Sequence, residues 1–251
     1  MPLVSYLSKA NFVPPTLPQR VDIATPLHRP GPRPFEARQV KRREFESWDA
    51  HGFHSLKENR PVEVDGITAI AVALALECNP QVAAYTERPR YLPVGDATIE
   101  VDFWVRHVTG YEEFLLLVGD GECRGVAAGV PRPREADRFQ SAANAAGINL
   151  GFVVESQVRR AGVQAMVHNR LLAFSQVAQT LPHRLALRER IVDHMKLLGR
   201  SRIDQLEAAL LPFDIGDVQA VTCELVCLGL LDVDYDTELT RHSVLNLTGA
   251  A

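Results

Sequence analysis

The run DGITAIAVALALECNP, residues 65–80, decides how the rest of the chain is read. It is nearly all apolar and too long for one strand, and Glu77, Cys78, Asn79 and Pro80 close it. A buried helix over 64–76 is predicted, because a helix that is hydrophobic all round must lie inside a core. Downstream, residues 82–85, 90–92, 97–105 and 114–118 are short, β-branched or aromatic, and separated by Gly, Pro or Asp, which predicts a run of strands. Residues 135–146 predict a small-residue helix stopped by Gly147, and 148–154 a buried strand, so the chain returns to the sheet by a β-α-β step. Helices are predicted next over 163–179 and 185–198, with Pro182 between them and Gly199 at the end.

Past Gly199 the pattern changes. A short helix capped S-x-x-D is predicted from Ser201, a longer one over 217–229, and an alternating, hairpin-like tail over 231–247. Helices followed by a hairpin predict a winged helix-turn-helix. Such folds bind DNA through a basic recognition helix, yet Ile203 to Thr240 holds nine acidic residues and no Lys or Arg. Phosphate contact there would be repulsive, so a protein-interaction module is expected over 184–251.

Upstream, eight of the 16 prolines fall in the first 40 residues, where no helix or central strand can persist. An extended arm is expected over 1–37, acting either as an unstructured leader or in docking on a partner or DNA. The 251 residues, 46% hydrophobic, can bury a full core. No run approaches the length of a membrane span and no signal pattern opens the chain, so a cytoplasmic protein without a membrane partner is expected.

Charge is uneven along the chain. The first 60 residues carry ten basic and six acidic residues and the remainder 17 against 25, which places any attraction to nucleic acid toward the N-terminal end. Lys41, Arg42 and Arg43, continued by Lys57 and Arg60 and interleaved with Phe45, Trp48 and Phe53, form the candidate DNA-binding set. The aromatics either stack on an unpaired base or pack the arm onto the domain.

Other chemistry has little anchor. The four cysteines, Cys78, Cys123, Cys223 and Cys227, are too few and scattered for a disulfide framework. Cys223 and Cys227 share a helix face but lack two further ligands for zinc, so they read as core. His51 and His54 beside Gly52 read as an irregular turn without a third ligand, and His107 stands alone. No nucleophile elbow and no phosphate-binding loop is present, which removes the serine-hydrolase and ATPase readings.

One ordered set of motifs is more specific. FHSLKENRPV (53–62), LALECNPQV (74–82), YTERP (85–89), IEVDFWV (99–105), FLLLVGD (114–120) and GFVVESQVR (151–159) occur in that order. Together they resemble the TnsA-type endonucleases of heteromeric cut-and-paste transposons over about residues 38–181. That family also has a winged-helix tail. The resemblance implies an α/β restriction-endonuclease-like (PD-(D/E)xK-type) domain over 38–181. In it a helix Glu, a strand Asp and a strand Glu/Gln-x-Lys converge on magnesium and a DNA phosphate. Carboxylates hold the cation that acidifies the attacking water, and lysine stabilises charge developing on the phosphate.

Matched position by position, the strand Asp is Asp102. The helix Glu falls on Ala69. The Glu/Gln-x-Lys triplet falls on Leu117, Val118 and Gly119, and no lysine occurs between Lys57 and Lys196. The family's Glu-Gln-Pro reads Glu87, Arg88, Pro89. Asp120, with Glu77 or Asp65, would be a metal ligand beside Asp102 only in an active enzyme, and Glu122 and Arg124 flank it. The resemblance therefore implies a catalytically degenerate subunit, needing no cofactor, that assembles with a transposase subunit and an AAA+ ATPase regulator on transposon-end DNA. The alternatives are a working endonuclease that uses Mg or Mn with substitute ligands, and an adaptor that does not touch DNA.

Overall fold

The computed structural model describes residues 34–124 and 131–248, so the expected arm lies outside the described residues through residue 33. In chain order the elements begin with α1 (Arg42–Phe45), β1 (Ala50–Ser55), β2 (Arg60–Asp65), α2 (Gly66–Cys78), β3 (Val82–Glu87), β4 (Tyr91–Val94) and β5 (Ala97–Glu100). They continue with β6 (Phe103–His107), β7 (Glu112–Val118), β8 (Cys123–Arg124), β9 (Arg132–Pro133), α3 (Ala136–Ala145), β10 (Leu150–Val154), α4 (Glu155–Arg160) and α5 (Gly162–Ala178). The last are α6 (Arg184–Leu198), β11 (Arg200–Arg202), α7 (Ile203–Ala209), α8 (Ile215–Cys227), β12 (Leu231–Val233) and β13 (Val244–Leu247). The protein is a mixed α/β structure with several sheets.

The central sheet runs β10-β7-β6-β3, with β10 parallel to β7 and the other pairs antiparallel. Its middle strand β7 is apolar without interruption from Phe114 to Val118 because helices or hairpins cover both faces, and alternate side chains go to opposite layers. Leu115 and Leu117 pack with α2, Phe103, Val153 and Val158 on one face. Phe114, Leu116 and Val118 pack with Leu92, Val94, Trp104 and Ala143 of α3 on the other. Phe35 joins this second layer, its ring 5.8 Å from Trp104 and 5.4 Å from Phe114. The step from β7 through α3 to β10 is the parallel return that a helical crossover requires.

Two local expectations change. The predicted helix start at 64 is too early: Val64 and Asp65 belong to β2, paired with His51 and Ala50, and the helix turns in at Gly66. His51 and His54 therefore lie on β1, in register with Val64 and Pro61, rather than in an irregular turn. The predicted strand 97–105 divides at Val101 and Asp102 because the backbone changes partners there. Val101 N donates to Arg90 O, toward the β4–β5 hairpin, whereas Asp102 N donates to Leu115 O in the central sheet.

In the C-terminal part, β11-β13-β12 form a three-stranded antiparallel sheet beside α6, α7 and α8. Ser201 does not cap a helix. It is buried in β11 opposite Leu245, and α7 begins after Arg202, whose N–H donates to the Gln205 side chain at 3.1 Å. The core of this part is not separate: one cluster joins Leu74 and Cys78 of α2, Leu171 and Leu172 of α5, Ile191 of α6, Val221 of α8 and Leu245 of β13. The expected boundary at 181–184 thus runs through a shared core.

Candidate functional site

Asp102 sits where β5 gives way to β6, and three neighbours define its surroundings. Leu117 N donates to Asp102 Oδ2 at 2.7 Å, and Arg88 N donates to Asp102 O, also at 2.7 Å. Burial pushes the Asp102 carboxyl up to about 7, against which the Leu117 N–H and the Arg88 charge act, while Glu100 adds to the rise. The group changes charge near neutral pH.

The two other positions of the expected triad, Ala69 and Gly119, lie on α2 and just past β7. Ala69, 7% exposed on α2, belongs to the apolar layer against which Leu117 packs. Gly119 follows the end of β7 with extended backbone, and its N–H donates to Glu122 Oε2 at 3.2 Å. A Cβ built at Gly119 meets nothing closer than 3.7 Å, so a longer side chain has room there. Around the Asp102 carboxyl stand the Leu117 N–H and the charges of Arg88 and Glu100.

Asp120 is turned to another task. Its Oδ1 accepts from Ser156 N at 2.9 Å and its Oδ2 from Arg159 at 3.1 Å, so it anchors the first turn of α4, and those Ser156 contacts hold its carboxyl below the ordinary value. Glu77 is a residue of the far end of α2, about 12 Å from Ala69 at 1.5 Å per residue. It accepts from Ser55 Oγ, Leu56 N, Lys57 N and Tyr85 Oη at 2.6 to 2.9 Å. Asp65 accepts from Asp49 N at 2.9 Å. Among the described residues no group of three or more His, Cys, Asp or Glu side chains is placed to share an ion. A hard divalent cation takes six or more oxygens and needs ionised carboxylates. Asp120, Glu77 and Asp65 are each engaged by other groups, so among the described residues the set Asp102 with Asp120, Glu77 or Asp65 is not assembled.

The basic residues divide into two groups. Lys41, Arg42 and Arg43 are exposed on and beside α1, with Arg42 Nε bonded to Glu46 at 2.9 Å. Phe45, 41% exposed, lies 6.0 Å from the Trp48 ring, and the Arg88 guanidinium covers Trp48 at 4.9 Å. Lys57 and Arg60, expected on the same DNA-binding surface, are elsewhere. Lys57 is buried, its Nζ donating to Leu76 O and Asn79 O at 2.7 Å, so it closes the last turn of α2. Arg60 forms a two-pronged pair with buried Glu87 at 2.6 and 2.5 Å. The motif KENR is the turn of the β1–β2 hairpin plugged into the core, and Asn59 takes φ 50° within it.

Arg88 is the residue that sequence reasoning valued least. It holds φ 46°, a conformation that costs a non-glycine residue about 1 kcal/mol or more. In return it ties three segments together, donating to Glu63 O at 2.6 Å, stacking on Trp48 and binding the Asp102 carbonyl. The only sequence signal was the arginine within Glu87-Arg88-Pro89.

Fold and site together define a mixed α/β protein with a carboxyl, Asp102, held where the β4–β5 hairpin meets the central sheet. Among the described residues no helix is long and apolar enough to cross a membrane. No family model and no curated protein matches the chain.

Proposed function

We propose that the chain is a catalytically inactive TnsA-like subunit of a DNA transposition machinery, with a restriction-endonuclease-like domain and a winged-helix tail. It works in assembly with a transposase subunit and an AAA+ ATPase regulator on transposon-end DNA, from the cytoplasm. The observation that supports this most is the order of elements around Asp102. A long apolar helix is followed by antiparallel β3, β6 and β7 and by a parallel β10, and the Leu117 N–H meets the carboxyl where the family places its metal site. Ala69 and Gly119 stand where that chemistry would need Glu and Lys, so several kcal/mol of transition-state stabilisation are missing. The exposed Lys41, Arg42 and Arg43 beside Phe45 provide the DNA contact.

Two measurements test the reading. Calorimetric titration with Mn²⁺ is expected to show no saturable binding to the native protein and binding to the A69E/L117Q/G119K variant; binding by the native protein that D102A abolishes would instead establish the working-endonuclease alternative. Reversing charge in K41E/R42E/R43E is expected to weaken binding to transposon-end duplex tenfold or more and to lower the salt slope by up to about 3, since each phosphate contact contributes about 0.9. Unchanged affinity and slope would leave an adaptor that does not touch DNA.

A further inference from the structure

The outer face of α5 is apolar where a surface helix is ordinarily polar. Its inner face, with Val167, Leu171, Leu172 and Ala178, is buried in the shared core. On the side turned to solvent, Val163 is 38% exposed, Met166 57% and Val177 49%, and Arg170 and Ala173 are exposed with them. Val163, Met166, Arg170, Ala173 and Val177 follow one another by alternating steps of three and four residues, the spacing of the a and d positions of a coiled-coil seam. At 3.6 residues per turn all five fall within about 80° of arc, and they span about 21 Å of helix. Apolar side chains scattered singly over a surface are ordinary, whereas a line of them on one helix face marks a surface that another element covers.

Charge on this helix has one sign, since no Asp or Glu occurs between Glu155 and Glu189. Arg170 stands at the middle of the line, its guanidinium 5.6 Å from the Phe174 ring centre and, among the described residues, without a carboxylate partner. Arg160, also exposed, ends α4 just before α5 begins. We propose that this face of α5 docks an amphipathic helix of a partner protein, with aliphatic side chains at a and d spacing and a Glu or Asp opposite Arg170. A second copy of the chain does not fit. Pairing the whole line with itself, parallel or antiparallel, brings Arg170 against Arg170 of the copy, and like charges in a seam oppose assembly. A membrane surface fits no better, because a helix lying in a bilayer interface carries its cations on the polar face and not in the middle of the apolar one. An acidic partner helix meets both demands: its aliphatic side chains pack between Val163, Met166, Ala173 and Val177, and its carboxylate pairs with the guanidinium and fixes the register. The docking face stands independently of a role in transposition.

The test uses the full chain, without DNA, and two synthetic helices of three heptads each. Both probes carry leucine at the a and d positions, except that the central a position is glutamate in one and lysine in the other. Each is labelled, held at nanomolar concentration and titrated with protein by fluorescence anisotropy, and the state of the chain alone is read by sedimentation velocity. The glutamate probe is expected to bind about tenfold or more tightly than the lysine probe, and R170E to reverse that order. M166D and V177D are each expected to weaken the glutamate probe about tenfold or more, with thermal midpoints that show the variants folded, since both side chains are exposed. The chain alone is expected to sediment as a monomer, or as an oligomer that M166D and V177D leave intact. Binding of neither probe, equal binding of both, or an order that R170E leaves unchanged overturns the proposal. A dimer that M166D dissociates overturns it in favour of a second copy, and binding to phosphatidylglycerol vesicles that M166D abolishes, without binding of either probe, in favour of a membrane surface.

Discussion

Asp102 carries a proton in the folded protein over a range where the unfolded chain has released it. Its ordinary value is 3.8 and its folded value about 7, so between those limits the native state binds more protons and stability falls as pH rises, with the full loss reached above pH 7. An Asp102→Asn replacement keeps the acceptor for Leu117 N–H without a charge to bury. The D102N variant is expected to equal the native protein near pH 4 and to exceed it at pH 8 by on the order of 4 kcal/mol, as measured by urea unfolding at both pH values. A smaller stability for D102N at pH 8 would mean that the carboxylate is used in the native state. His168 acts in the opposite sense: burial lowers its imidazole from 6.5 to about 4, so its contribution is complete above pH 6.5 and is lost as pH falls toward 4. The two slopes oppose each other in wild type, which is why the comparison with D102N is the informative one.

At the scale of elements, the β1–β2 hairpin is held by a carboxylate supplied by a helix. Glu77 accepts four hydrogen bonds from the turn and from Tyr85, and a glutamine there offers one acceptor oxygen and turns an NH₂ group toward donors. E77Q is expected to cost about 2–4 kcal/mol and to speed hydrogen exchange at residues 55–58 more than elsewhere. The end of α8 is held by shape: Gly229 has φ 72°, Leu230 N reaches back to Leu225 O, and Pro80 occupies the space of a side chain. G229A is expected to lower stability by about 2–4 kcal/mol, read as a shift of the denaturation midpoint at constant m-value. Elements such as α2, β7 and β10 were legible because their apolar runs are local. The role of KENR was not, because the partner carboxylate Glu77 and the carbonyls that receive Lys57 lie some twenty residues on and meet the turn only after folding.

The whole molecule is joined through α5, which packs on both α2 and α8, and through a buried charge cluster. Arg188 and Glu224 are fully buried, with Arg188 Nε at 2.6 Å, Arg184 at 2.7 Å and Gln179 Nε2 at 2.5 Å from the Glu224 carboxylate. E224A removes the counter-charge of a buried guanidinium and is expected to cost about 3–5 kcal/mol. Because one core spans residues 74–245, calorimetry is expected to show a single transition with equal calorimetric and van't Hoff enthalpies, and E224A to shift that transition as a unit. Two resolved transitions would show the expected two domains unfolding apart.

By itself the sequence determined the order and kind of the main elements, the apolar character of the sheet and the lysine-free stretch between Lys57 and Lys196, since periodicity, turn residues and composition act over a few neighbours. Tertiary structure decided which charges face water: Lys57 and Arg60 went inward to Leu76, Asn79 and Glu87, while Lys41, Arg42 and Arg43 stayed outside. It also decided that Asp120 serves α4 and that Arg88 bridges three segments. Each of these depends on a partner distant in sequence, and a buried polar group is satisfied only by what the folded chain brings to it.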